Sequence, residues 1–427
     1  MTFAESIYTV AMGVPLLYCA ACILYLLHLT LHALLLRKRL LPLAPSSATE
    51  APPTPASIDN PTRFVLFFPA HNEELILGKV LDGLKPLDYP ASAYRVVVIA
   101  DNCTDSTVEI AHSKGVLVWE RVNPDERGKG YALNWAIDRL LKVESASSDS
   151  VLAGFDAIVV CDADTILSLN LLQAFHESLI EGGKVLQARY EVLNVDESWR
   201  TRLMSCALAL VHIVKPLGRE HLRLSEGLKG NGMAFAREVV ERIPWSGASI
   251  TEDIEYSLRL CREGYRVQFV PAAAVWAQMP TTAAQSKSQR QRWEGGRYSL
   301  LFSLAPRLLA ESLRTRSRIL RDRAIEMFIP PFAEMFALPV LLLGLNLGIS
   351  RLFHFPSVSY FTVAWVFILV LQGMYLAGGL WIARVPAKIA VSLLGAPFYI
   401  LWKFGVYGAL LVKRSTGGWN RTERRQL

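Results

Sequence analysis

Two carboxylates one residue apart, Asp162 and Asp164, close the apolar run Asp156 to Cys161. Such a pair at a strand end can address one divalent cation, because hard ions such as magnesium combine one or two carboxylates with substrate phosphate oxygens and water. Alone, an acid-x-acid pair is also an ordinary turn or helix start. Its weight comes from its company. Gly128-Lys129-Gly130 lies just ahead of the helical pattern Ala132 to Leu141, where a lysine and exposed backbone amides meet phosphate. The spacing is not that of a P-loop. Thr251-Glu252-Asp253 opens the amphipathic segment Ile254 to Cys261. These carboxylates read equally as caps of a helix N-terminus or, for Asp253, as a general base that takes a proton from an acceptor hydroxyl. In the second reading Glu252 beside it raises its proton affinity and the helix amides oppose that. In Gln289-Arg290-Gln291-Arg292-Trp293, Arg292 can clamp a diphosphate bidentately and Trp293 can form a stacking wall. A basic interfacial helix with a Trp anchor is the competing reading.

The elements that must position these groups follow from short β-rich runs alternating with helical patterns: Arg63 to Phe68, Val96 to Ala100, Val116 to Glu120, Ala157 to Cys161 and Val185 to Tyr190. Nearly continuous apolar runs suit strands buried on both faces of a parallel sheet. Ligands of such sheets bind beyond the carboxyl ends of the strands. His71-Asn72-Glu73 follows the first run, Asp101-Asn102 the second and Asp162-Ala163-Asp164 the fourth, so three polar clusters converge on one rim. The fold class read from this pattern is α/β with a mainly parallel, Rossmann-like sheet.

The chain has 427 residues, 52% hydrophobic and 19% charged, more apolar than an average soluble protein at roughly 25% charged. The excess lies at the two ends. Ile7 to Leu36 carries no acid or base before Arg37, Lys38 and Arg39, which reads as a retained membrane anchor with its basic end in the cytosol. Residues 1–41 are this anchor, and 42–61, rich in Pro, Ala, Ser and Thr, are a flexible linker. Residues 62–300 hold the catalytic domain and 301–327 basic interfacial helices. A membrane region of two or three helices spans 328–413, with a basic tail at 414–427. The third apolar stretch, Ile389 to Val412, contains Pro397 and Lys403 and reads as a span or as a re-entrant segment.

The net charge of +7 sits beside the apolar spans, with five arginines between Arg314 and Arg323. That placement fits anionic headgroups or a solvated helix face, and excludes nucleic acid as the partner. The six cysteines form no disulfide or zinc framework, and the Cys19/Cys22 pair sits inside the first span with no second pair to complete four ligands. A reducing, cytosolic domain follows.

In order and spacing these motifs resemble the membrane-integrated family 2 glycosyltransferases, among them the bacterial synthases of cellulose, poly-N-acetylglucosamine, chitin oligosaccharide and hyaluronan. The resemblance covers Arg63 to Arg297. It implies a GT-A domain inserted between membrane helices, in which Asn72, Glu73 and Asp101 hold the nucleoside and Lys129 lies near the diphosphate. Asp162 and Asp164 correspond to the DxD pair, with Asp164 the main ligand of Mg2+ or Mn2+. Thr251-Glu252-Asp253 matches the TED motif, making Asp253 the catalytic base. Gln289, Arg292 and Trp293 match QxxRW beside donor and acceptor, and Gly230-Asn231-Gly232, with Glu252, matches the acceptor side.

The implied activity is inverting transfer from a nucleotide-sugar, a UDP-sugar, to a glycan or lipid-linked acceptor at the cytosolic face of a bacterial inner membrane, in exopolysaccharide or cell-surface glycan synthesis. A single-sugar transferase that makes a glycolipid, and a non-catalytic membrane scaffold, are the alternatives. Many family members carry Asp-Asp-x-Ser where this chain has Asp101-Asn102-Cys103-Thr104-Asp105. With at most four membrane helices, a polymer channel requires a partner subunit or a homo-oligomer.

Overall fold

The computed structural model of the chain describes residues 3–40, 58–143, 149–245, 252–282, 295, 296, 298, 300–353 and 355–412. The α/β half is built on one eight-stranded sheet: β1 (Phe64–Ala70), β2 (Tyr94–Asp101), β3 (Leu117–Arg121), β4 (Ala157–Val160), β5 (Thr165–Leu167), β6 (Val185–Val192), β7 (Met233–Ala236) and β8 (Val267–Ala277), in the spatial order 3-2-1-4-7-6-8-5. The first four strands pair in parallel, with Ala70 opposite Ala100 and Phe67 opposite Val160. Successive residues of β1 point to opposite faces. Leu66 and Phe68 enter the core over helix Leu171–Ile180, whereas Val65 and Phe67 enter the core over helix Lys129–Val143.

The sheet is mainly parallel, as expected, and takes in two reversed strands beyond β4. β7 is antiparallel to both β4 and β6, and β5 is antiparallel to β8. The short reversed strand β7 restores the direction of β6, so the carboxyl ends of β2, β1, β4 and β6 share one rim with the entry into β7. That rim carries the polar clusters. The result is the GT-A class of α/β domain.

Among the described residues, three helices are long and apolar enough to cross a membrane: Phe3–Arg39 with its 3-10 end, Phe332–Leu352 and Ser357–Ile382. Leu17, Leu31, Val363 and Phe367 lie exposed on their outer faces, as a hydrocarbon environment favours. The helices lock onto the α/β half at close backbone contacts. A Cβ on Gly218 would lie 2.2 Å from the carbonyl oxygen of Leu29, and one on Gly379 would lie 2.3 Å from Leu210 Cδ2. At the domain end, the Arg37 guanidinium stacks 3.9 Å over the Trp381 ring.

Among the described residues the last apolar stretch does not run as one helix. It divides into Ala387–Ala390, a 3-10 turn Val391–Gly395, and Ala396–Val412. Its first part rests on the α/β half, where Lys388 pairs with Asp196 at 3.3 Å and Gly395 packs against the Trp199 ring. The arginine cluster also divides. Arg314, Arg316, Arg318 and Arg321 are exposed, whereas Arg323 is turned inward and buried, so it is unavailable to headgroups. All six cysteines are free thiols.

Candidate active site

Each functional side chain is delivered by a strand end or a helix start. Asp101 ends β2, where its buried carboxylate accepts 2.7 Å and 3.1 Å hydrogen bonds from Arg121 Nη1 and Asn102 Nδ2. His71 Nδ1 donates to the Asp101 carbonyl at 2.7 Å. Asn72 and Asn102 adopt left-handed backbone, φ 57° and 52°, a conformation that asparagine tolerates better than most residues. It turns their side chains into the loops: Asn72 Oδ1 accepts from Thr104 N at 2.7 Å, and Asn102 Oδ1 from Asn123 N at 2.9 Å. The Glu73 amide is held at 2.8 Å by Thr107 Oγ1. The first two polar clusters thus brace one another. Their asparagine side chains are engaged in shaping the loops, and the Asp101 carboxylate is already charge-paired.

Asp162 and Asp164 follow β4, where both share the hold of Asn231. Asn231 Oδ1 accepts from Asp162 N at 3.1 Å, while its Nδ2 donates at 2.8 Å to Thr165 Oγ1, whose hydroxyl lies 3.5 Å from Asp164 Oδ1. Asn231 is itself fully buried, and its carbonyl accepts from Gln187 Nε2 at 2.8 Å. Gly230 and Gly232 flank it at φ 75° and 64°, where a side chain is strained. A Cβ on Gly232 would also approach Val275 Cγ2 to 2.8 Å.

Lys129 joins the two sides of the rim. It opens helix Lys129–Val143, and its ammonium donates to both the Asp162 carboxylate and the Gly230 carbonyl. Burial works against that charge, and Asp162 with Glu252 and Asp253 outweighs it, so the ammonium is held above its ordinary pKa. Glu252 and Asp253 open helix Glu252–Arg262. Asp253 Oδ1 accepts from Ile254 N at 2.8 Å, and Oδ2 lies 3.4 Å from where a Gly230 Cβ would stand. Burial, then the neighbouring Asp253, pushes Glu252 up to about 7. Burial also raises Asp253, against the pull of the Ile254 N–H, Lys129 and Lys229.

The structure therefore brings Lys129, Asp162, Gly230, Glu252 and Asp253 into one cluster, with Asp164 and Asn231 beneath it and Asp101 two strands away on the same rim. Thr251, Gln289, Arg292 and Trp293 lie outside the described residues. No three His, Cys, Asp or Glu side chains among the described residues form a ready-made metal cage. The donor set nevertheless fits a hard divalent cation completed by phosphate and water: Asp164 is buried, and Asp162 is a third exposed with its second carboxylate oxygen unengaged by Lys129.

Several neighbours of the site escaped the sequence reading. Arg121 is unremarkable in sequence, and only the β2–β3 pairing sets it on Asp101. Lys229, beside the glycine turn, pairs with Glu226 at 2.7 Å. His212 sits in a π-helical turn, Leu210–Val214, stacked on Tyr190 with centroids 5.3 Å apart. Burial and then Lys229 hold it neutral, at about 3. Its Nδ1 lies 3.2 Å from the Tyr190 carbonyl.

Against this geometry, the comparisons with known proteins point one way. The chain is 26% identical over 248 residues to the probable glycosyltransferase YdaM of Bacillus subtilis, covering 56% of each protein. It is 28% identical over 284 residues to a beta-monoglucosyldiacylglycerol synthase of Nostoc, covering 65% of this chain and 57% of that protein. With a poly-beta-1,6-N-acetyl-D-glucosamine synthase of Staphylococcus aureus it shares 23% identity over 257 residues, 57% of each. The chain thus spans little more than half the length of these curated relatives. Among solved structures, the mannosyltransferase PcManGT of Pyrobaculum calidifontis, in complex with GDP-Man and Mn2+, is similar over 84% of this chain and 99% of its own, at 17% identity and a TM-score of 0.44. The model of the family described as Glycosyltransferase like family 2 matches residues 61–296, more than half of the chain, and the chain belongs to that family.

Proposed function

We propose that this chain is a metal-dependent, inverting glycosyltransferase that moves a sugar from a nucleotide-sugar, a UDP-sugar, to a hydroxyl of a glycan or lipid-linked acceptor at the cytosolic face of a bacterial inner membrane. The observation that carries this reading is the position of Lys129, whose one ammonium touches Asp162 of the acid pair after β4 and the Gly230 carbonyl beside Asp253. This contact supports a reading in which a donor diphosphate meets one end of the cluster and an acceptor hydroxyl the other.

In this mechanism Asp101 and the loops held by Asn72 and Glu73 receive the nucleoside, and Lys129 exchanges its Asp162 contact for a diphosphate oxygen. Asp162 and Asp164 would hold a Mg2+ or Mn2+, which would supply neutralising charge toward the departing diphosphate. Asp253 takes the proton of the acceptor hydroxyl. The acceptor oxygen bonds to the anomeric carbon from the face opposite the diphosphate, whose carbon–oxygen bond breaks, and the centre inverts. Burial favours this role, since a carboxylate with raised proton affinity is a better base near neutral pH. Gln289, Arg292 and Trp293 are assigned to donor binding and Trp293 also to the acceptor, on the match to the motif alone, and Gly230, Asn231, Gly232 and Glu252 are assigned to the acceptor side.

The similarity to a glycolipid synthase over 65% of the chain supports a second reading, transfer of one sugar to a lipid. Both readings meet one experiment. Purified protein in lipid nanodiscs receives UDP- and GDP-sugars with Mg2+ or Mn2+, in the presence of dioleoylglycerol or of short oligosaccharides, and nucleotide release and product mass are recorded. A ladder of oligomers supports glycan synthesis and a single glycolipid supports the second reading. Absence of nucleotide release with every donor would refute both.

A further inference from the structure

Outside the site, the largest unexplained feature is a buried charge network around Arg219, which is fully buried. Its guanidinium donates to Asp322 Oδ2 at 2.9 Å, to Glu226 Oε2 and Glu326 Oε1 at 3.0 Å each, and to Tyr25 Oη at 2.9 Å. The Tyr25 hydroxyl in turn donates to Asp322 Oδ1 at 2.7 Å. Tyr25 belongs to the first apolar helix, Arg219 to helix Lys215–His221, Asp322 and Glu326 to helix Arg318–Phe328, and Glu226 to the segment that leads into the glycine turn. One side chain thus joins four separate parts of the chain.

The network continues toward the site. Glu226 Oε1 pairs with Lys229 Nζ at 2.7 Å, and Lys229 N donates at 2.9 Å to Gln187 Oε1, whose amide nitrogen holds the Asn231 carbonyl. On the far side Lys215 and Arg323 complete the set, at 2.7 Å and 2.6 Å from Glu326. Four cations therefore face three carboxylates, and the Lys229 charge, though paired with Glu226, also acts on Asp253. The backbone leaves no slack: a Cβ on Gly227 would lie 2.9 Å from Arg323 Nη2. Burying so many charges stabilises a fold less than apolar packing of the same volume does, whereas it fixes which groups sit opposite one another. A device for registry is what the arrangement resembles.

We infer that the Tyr25–Arg219–Glu226–Lys229 chain is a positioning device, through which the seating of the first apolar helix sets the Gly230–Gly232 turn against Asp253. Membrane anchoring then does more than tether the domain, since it holds the acceptor side of the site in register. The contacts stand irrespective of the transferase reading, and only the word acceptor rests on it.

Hydrogen exchange on the full chain in nanodiscs without substrate tests the coupling separately from activity. Tyr25→Phe removes one oxygen from the helix end of the chain, and Glu226→Gln removes the charge that links Arg219 to Lys229. In both, the peptide spanning residues 226–233 is expected to exchange about tenfold faster while β1 and β2 keep wild-type protection. Lys229→Arg, which keeps a cation against Glu226, retains the protection of that peptide. Wild-type exchange at 226–233 in both Tyr25→Phe and Glu226→Gln would overturn the inference. So would an equal loss of protection across β1 and β2, which would make the network a general stabiliser. Failure of the wild type to release nucleotide would count against the transferase reading and leave this coupling standing.

Discussion

Two charged clusters meet at the Lys229–Gly230 peptide, and they are built on opposite principles. Around Arg219 every carboxylate has strong cationic partners. Burial raises Glu226 and Glu326, but Lys229 and Arg219 outweigh it for the first and Arg219 and Arg323 for the second, and both acids are held below the usual carboxylate range. Around Lys129, one ammonium serves Asp162 while Glu252 and Asp253 crowd behind it, and burial leaves both of those acids raised. The first cluster is finished, and the second is short of positive charge. A structural network satisfies its charges in the resting protein, whereas a site that handles a charged substrate keeps them poised for what it will bind.

Breaking each cluster in turn sharpens that contrast. Asp164→Asn should lower transfer by roughly a thousandfold, since it weakens stabilisation of charge on the departing group, with no change in the melt of the protein; steady-state nucleotide release checks this. Arg219→Met should act first on stability, and on transfer only through the Gly230–Gly232 turn that its network holds. It strands Glu226, Asp322 and Glu326 without their shared partner and should cost roughly 3–5 kcal/mol of stability, read by denaturant unfolding in detergent. Lys129→Met removes the cation that opposes the raised proton affinity of Asp253. The acid limb of the transfer rate should move upward by about one pH unit, as a pH series will show.

The smallest effect is a pH dependence of opposite sign in the two clusters. A raised carboxylate binds its proton more tightly in the folded state, so the contribution of Glu252 to stability is present at low pH and lost as pH rises through about 7. A lowered one such as Glu226 contributes above its ordinary range, and that contribution is lost only as pH falls below it. Between pH 6 and 8, Glu252→Gln should therefore remove a decline in stability of about 1 kcal/mol, whereas Glu226→Gln should leave the slope unchanged. Thermal melts across that window distinguish the two.

Much of the rim was legible because its information is local. Each of β1, β2 and β4 is a continuous apolar run followed at once by its polar cluster, so strand and site residue are read together. The reversed strand β7 is four residues of Met-Ala-Phe-Ala behind a glycine turn, too short for periodicity, and β8 contains Pro271 and an alanine run with little strand preference. Both owe their place to neighbours in the sheet. The Arg219 network was invisible for a similar reason. Tyr25, Arg219, Glu226 and Asp322 are scattered over nearly 300 residues and meet only once the first apolar helix has packed against Gly218. A motif discloses chemistry that is contiguous in sequence, whereas this network is assembled by tertiary contact alone.

The central claim is that Asp253 accepts the acceptor's proton at the Lys129 cluster. The most direct test is mass spectrometry of the product formed in nanodiscs by wild-type protein and by Asp253→Asn, with the same nucleotide-sugar and acceptor. The account predicts a sugar-bearing product from the wild type and none from the variant, although the variant melts like the wild type. The same product at the wild-type rate from Asp253→Asn would contradict it.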